Sequence, residues 1–284
     1  MKFIMRLVCV SRALALILVA TLAASVGVRA NDVDANRGGR PIYIDADEFE
    51  DDRKRDNWAG QLGFGLSAAP RFIGADEHLA SLGFDLRLSY KDRFFIENNR
   101  VGLVLHRSRF LRSGIIGRWN LGRIDNGNLN AFSAIPEVDE AFEVGAFAAT
   151  SFYKLFLATE VYFGASSSLK GASFEVEAGY TFEPDSEWRI TPIVGAVWGS
   201  SDYVDTFFGV PEDNPDFEAY NPSGGFYETY VELATERRLG NNWLLKGNFR
   251  FSELLNDAAD SPIIQSAEGS RDQLEAFVGI VWLF

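Results

Sequence analysis

Cysteine is almost missing. The 284 residues contain one, Cys9, which lies ahead of the apolar core of an N-terminal leader and follows Arg6-Leu7-Val8. That rules out a disulfide framework and a thiolate metal cluster, and without a small residue before Cys9 it is not a lipid-attachment site. Histidine is nearly as scarce, with only His78 and His106. Basic residues are also short, 27 Lys and Arg against 40 Asp and Glu for a formal net charge of −13, which argues against nucleic acid as a partner. No apolar run reaches the roughly 20 residues of a membrane helix. The longest, Ala13 to Val26, follows Lys2, Arg6 and Arg12 and leads to Val28-Arg29-Ala30. This is the pattern of a secretory leader, residues 1–30, cleaved after Ala30. An exported chain without disulfides needs another way to hold itself together, and a closed ladder of backbone hydrogen bonds is one.

What is abundant points the same way: 26 glycines and 14% aromatic residues suit many strands joined by tight turns. From Trp58 onward apolar and polar residues alternate, as in Phe174, Val176, Ala178 and Tyr180 against Ser173, Glu175, Glu177 and Gly179. Twelve such segments occur, ten if the stretch from Phe94 to Trp119 is counted differently. Their connections alternate in length, apart from Asn98 to Arg100 and Ala165 to Lys170, which are short on the long side. Lys91 to Arg93, Arg107 to Leu111, Ser151 to Tyr153, Pro184 to Ser186 and Leu239 to Asn242 are short, whereas Ala69 to Ala80, Asn120 to Glu140, Ser201 to Gly224 and Ser252 to Ser270 are long. Short turns on the periplasmic side and long loops outside are how outer-membrane barrels are built. The expected fold is therefore all-β, a transmembrane antiparallel β-barrel over residues 58–284 in the Gram-negative outer membrane, embedded in outer-membrane lipid.

The closing strand sharpens this reading. Leu274, Ala276, Val278, Ile280, Trp282 and Phe284 form an apolar row on one face, with Gln273, Glu275 and Gly279 on the other. In a soluble sandwich this would be a pairing-prone edge, which a barrel does not have. A terminal Phe on such a strand also resembles the signal that the barrel-assembly machinery recognises. Aromatics collect at strand ends in two expected girdles, Trp58, Tyr90, Phe94, Phe152, Tyr180, Phe182, Trp188, Trp243 and Phe284 at the periplasmic ends, and Trp119, Phe163, Trp198, Tyr203, Tyr227 and Phe251 at the outer ends. The inward face carries both signs of charge, including Asp85, Arg87, Glu143, Lys154, Glu160, Glu175, Glu177, Glu228, Lys246 and Arg250. These either line water or pair across the lumen, and inward Phe156, Tyr162 and Tyr230 favour a narrow or filled one. Residues 31–57 lack periodicity: acidic Asp45 to Asp52 is followed by basic Arg53-Lys54-Arg55, and the expectation is a solvated, disordered periplasmic segment.

Three segments carry a family resemblance. Gly63-Phe64-Gly65 followed by Ala69-Pro70-Arg71-Phe72-Ile73-Gly74-Ala75-Asp76 is similar to the opening of the MipA/OmpV family of outer-membrane proteins. Phe207-Phe208-Gly209-Val210 resembles the family's middle motif. Glu253-Leu254-Leu255-Asn256-Asp257-Ala258-Ala259-Asp260-Ser261-Pro262-Ile263-Ile264 resembles its motif before the last strand. Phe72 and Phe208 stand where Tyr is common in the family. The resemblance implies a barrel without catalytic activity that serves as a scaffold for peptidoglycan-remodelling machinery, with a lytic transglycosylase and a peptidoglycan synthase as partners.

Two other functions can be written on these residues. His106 and Ser108 stand at i and i+2, the arrangement of a barrel lipid-A or phospholipid acyl hydrolase, although Arg107 and Arg109 flank them and the strand count places them at a periplasmic turn. A narrow channel for small solutes is the other. No cofactor is expected. Asp257, Asp260 and Glu268 read as turn and loop residues rather than as a calcium site.

Overall fold

The computed structural model describes residues 41–45, 58–123, 135–164, 166 and 168–284; the leader and most of the charged segment 31–57 lie outside the described residues. The strands are β1 (Trp58–Pro70), β2 (His78–Tyr90), β3 (Phe94–Glu97), β4 (Arg100–Arg107), β5 (Arg112–Asn120), β6 (Ala141–Phe152), β7 (Leu155–Gly164), β8 (Ala172–Tyr180), β9 (Trp188–Gly199), β10 (Gly225–Arg238), β11 (Trp243–Leu254) and β12 (Asp272–Leu283). Each pairs antiparallel with its sequence neighbours, and β1 pairs with β12, closing a twelve-stranded barrel. The seam is stitched to its end, where Gly60 and Phe284 exchange backbone N–H···O bonds of 3.0 Å each way.

Alternation decides which way each side chain points. On β12, Leu274, Val278, Ile280 and Trp282 are exposed while Gln273, Phe277, Val281 and Leu283 are buried. Phe64, Leu66, Leu82, Ile115, Val194 and Val231 continue the exposed apolar belt around the wall. More than half the surface of Leu66 and Leu82 is open, a cost in water that lipid removes. Aromatics pair at the short-turn rim, Trp58 with Tyr90 at 4.6 Å and Tyr180 with Phe182 at 4.7 Å between ring centroids.

The expected turns are present, with left-handed Lys91 and Asp92 (φ 53° and 52°) reversing the chain between β2 and β3. The first long loop is shorter than expected, because β1 continues to Pro70 and β2 starts at His78. The 201–224 connection is not irregular throughout. It holds helix α2 (Ser201–Phe208), and the 252–270 connection holds the short helix α3 (Asn256–Ala259). Lys154 is also corrected: β7 starts one residue later, so Lys154 sits half-exposed in the turn and bonds Glu183 at 2.8 Å.

Of the segment expected to be solvated, only residues 41–45 are described, and these five depart from the expectation. Helix α1 (Ile42–Asp45) lies inside the barrel, with Tyr43 and Ile44 buried. The physical reason is local: Pro41-Ile42-Tyr43-Ile44 is an apolar island in a charged stretch, and it finds apolar cover in the lumen.

Candidate functional site

The lumen is built from the inward positions of neighbouring strands, and its charges pair. Lys246 on β11 bonds Asp85 on β2, both fully buried. Arg118 holds Glu143 at 2.7 Å, Arg250 holds Glu228 at 2.7 Å, Arg87 meets Glu97 at 3.2 Å, and Arg100 reaches Glu160 at 3.5 Å. The aromatic side chains are part of the same network. Tyr230 donates to Glu175 (2.8 Å) and lies 3.6 Å under the Arg250 guanidinium, while Tyr162 donates to Glu160 (2.7 Å). A Cβ on Gly195 would come within 2.2 Å of the Tyr230 ring, so glycine on β9 is what lets that ring lie across the wall. Of the two states expected for these charges, the paired one is observed.

At the outer end the three family segments converge. Gly74 adopts φ +90°, and a Cβ there would stand 2.0 Å from Ile264, so the first segment packs directly on the third. Backbone bonds reinforce this contact: Ser270 N–H to Gly74 O at 2.8 Å, Asp76 N–H to Glu268 O at 2.9 Å, and the Ala75–Gly269 bridge. Ser261 donates through its buried hydroxyl to Phe208 O at 2.6 Å, tying the third segment to the second. Val210 pairs with Tyr220, whose hydroxyl donates to Asp257 O at 2.9 Å. The apolar face of α2, comprising Tyr203, Val204, Phe207 and Phe208, turns inward onto this cluster. Together these residues make an outer cap. Tyr203 and Tyr227, expected in the outer girdle, are buried in it instead, because α2 folds back over the mouth of the barrel. Burial and then Asp257 and Asp260 raise the Tyr220 phenol, and burial and then Asp202 raise the Asp205 carboxyl.

At the short-turn end the closure is α1. Tyr43 stacks on Phe147 (4.2 Å between centroids), leans on Phe95 (5.6 Å) and donates to Glu160 at 2.7 Å. Arg112 donates to the carbonyls of Tyr43 (2.9 Å) and Ile44 (3.2 Å). Phe95 and Arg112 lie beside the short turns that follow β2 and β4, so α1 enters from that side.

His106 is exposed on β4 just after a bulge. Ser108 is in the following turn, its hydroxyl donating to Leu111 O (3.2 Å) and accepting from Leu111 N–H (3.1 Å), and no hydrogen bond joins it to His106. Asp257 accepts from Ser223 N–H (2.7 Å), Asp260 pairs with Arg271 (2.9 Å), and Glu268 bonds Asp76 through its backbone, so the three acids face separate partners. Among the described residues no three metal-ligating side chains gather. Gly63 and Gly65 lie on β1 against β12, where a Cβ on Gly65 would meet Val278 O at 2.2 Å.

Beneath the cap lies a partly open cavity of about 160 Å³. Its cationic lining is Arg100, Arg118, Arg123 and Arg250. The burial of Arg123 in this lining and the anchoring by Tyr43 were not legible in the sequence. Arg123 is a lone cation in a long loop and carries no motif; for Tyr43 the apolar tetrad around it was the available signal.

Against known proteins, the family model "MltA-interacting protein MipA" matches residues 62–284. Among solved structures, the chain is similar to the translocator domain of the autotransporter NalP from Neisseria meningitidis, at 10% identity and TM-score 0.41, covering 91% of this chain and 100% of that one. It is also similar to OmpT, an outer membrane protein of Vibrio cholerae, at 8% identity and TM-score 0.39, covering 80% and 96%. At this level the likeness adds nothing to the strand order already described. No curated protein matches the sequence.

Proposed function

The chain belongs to the MltA-interacting protein MipA family and is an outer-membrane barrel, and from that premise we propose that it is a non-catalytic scaffold for peptidoglycan-remodelling enzymes. The observation that carries this reading is the anchoring of Tyr43 inside the lumen beside the short turns, and on our reading the charged stretch next to it in sequence serves partners at the periplasmic mouth. A barrel whose interior charges are paired, and whose short-turn end is occupied by its own chain, is organised for presentation more than for passage. The pairing of Ser108 with Leu111 supports leaving hydrolysis aside, since an activated serine needs its base within hydrogen-bond reach.

The partner class is the one in the family's description, a lytic transglycosylase, with a peptidoglycan synthase as second client. Acidic Asp45 to Asp52 beside basic Arg53 to Arg55 gives the tail two adjacent charge blocks, which attract a complementary surface at moderate salt and release it as screening rises. The test is co-purification from solubilised envelopes with the full mature chain as bait, beside a variant in which Arg53, Lys54 and Arg55 are changed to Glu. Enrichment of a transglycosylase or synthase by the wild type is expected, weakened in the variant and at high salt. A wild-type bait that enriches neither enzyme contradicts the scaffold role; equal enrichment by both baits contradicts only the part given to the tail.

A further inference from the structure

Four arginines line the cavity beneath the cap, and three of them have carboxylate partners: Arg100 with Glu160, Arg118 with Glu143, and Arg250 with Glu228. Arg123 is different. It is only 7% exposed, and among the described residues no carboxylate pairs with it. Its Nε donates to Pro136 O at 2.9 Å and its Nη1 to Phe207 O at 2.8 Å, while Nη2 has no hydrogen-bond partner. The Phe72 ring lies 5.9 Å away. Two backbone carbonyls fix the guanidinium in place, so its position is built and not incidental. Burial alone lowers the guanidinium to about 10, as expected of a cation without a counter-charge.

A buried, unneutralised cation is costly, and proteins keep one where something else supplies the negative charge. The acids of the lining, Glu175, Glu228 and Glu275, gather about Arg250, with Glu228 paired to it and Glu175 accepting from Tyr230, while Ile73, Leu121 and Phe207 give the cavity its apolar part on the Arg123 side. We propose that this cavity is a binding site for a small organic carboxylate, its acid group meeting Arg123 and its apolar body lying among Ile73, Leu121 and Phe207. A flat guanidinium matches a carboxylate in shape and charge. A cavity of about 160 Å³ is also roughly ten times the space one water needs, so it has room for the rest of the molecule. The site lies under the outer cap, at the other end of the barrel from α1, and is independent of what the periplasmic tail recruits.

The test uses the full mature chain folded in detergent, with 4-fluorobenzoate and its neutral counterpart 4-fluorobenzamide as probes read by fluorine NMR. Saturable binding of the acid and none of the amide is expected, with Arg123→Gln weakening it about tenfold or more, the scale of one lost charged hydrogen bond. Ile73→Trp, which fills the cavity and leaves Arg123 in place, abolishes binding as well, and decides the matter if Arg123→Gln fails to fold. Competition by unlabelled benzoate and not by inorganic phosphate supports the carboxylate assignment, whereas displacement by phosphate alone overturns it. Equal binding of acid and amide, unchanged affinity in the folded variants, or no saturation by wild type below about 10 mM would each overturn the proposal.

Discussion

The two ends of this barrel are closed by different means. At the outer end three loop segments interlock through backbone bonds, a positive-φ glycine and a shared apolar cluster, so the cap is continuous with the wall. At the periplasmic end the described closure is a single four-residue helix, whose Tyr43 stacks on Phe147, leans on Phe95 and bonds Glu160, whose backbone takes two bonds from Arg112, and whose Tyr43 and Ile44 join the same apolar cluster. A closure made of many buried contacts opens only when much of it unfolds, while one made of a few can leave as a unit. The outer cap is therefore expected to open only together with the wall, and the short inner helix to leave without it.

The cap is disturbed most at Gly74. Gly74→Val puts a branched side chain at φ +90° and into Ile264, and a loss of about 2–4 kcal/mol is expected. Thermal unfolding followed by heat-modifiable migration checks it; an unchanged midpoint would mean the cap contributes little. A milder cut is Ser261→Ala, which leaves Phe208 O without its buried donor and should loosen the cap by about 1–2 kcal/mol. Hydrogen exchange across residues 201–208 should quicken while exchange in β6 and β7 stays as it was. Similar acceleration in both places would show that cap and wall are one cooperative unit.

The smallest effect sharpens the comparison through pH. Asp205 holds its proton more tightly when folded, so it favours the cap in acid, and that contribution is lost as pH rises through its raised value. Asp205→Asn removes the dependence. Cap exchange in the variant should be slightly slower than wild type at neutral pH and the same in acid; a variant less protected at neutral pH would contradict the cause assigned to the shift.

How much of this was legible in the sequence follows from which contacts are local. Strand alternation depends on neighbours two residues apart, so all twelve strands, the short turns and the outward row of β12 could be read directly. The motif segments could be recognised, but not their convergence, since Gly74 and Ile264 meet only once the barrel closes. The face of α2 at Tyr203, Val204, Phe207 and Phe208 has helical spacing, which was hidden by its place in a long loop. Tyr43 was read as part of a charged tail because its four-residue island is too short to show a period. Arg123 has no pattern at all, and its isolation is visible only as missing partners in three dimensions.

A lumen filled by paired charges and aromatic side chains, with α1 as the part that can leave, should conduct little or nothing. Planar-bilayer recordings of the purified mature chain test it most directly, with wild type beside Tyr43→Ala, which removes the stack on Phe147 and the bond to Glu160. Wild type should give small or no steps and Tyr43→Ala clearly larger ones, with the unfolding midpoints of the two barrels close together. Large, stable steps from wild type, unchanged by the substitution, would contradict it and favour an open channel.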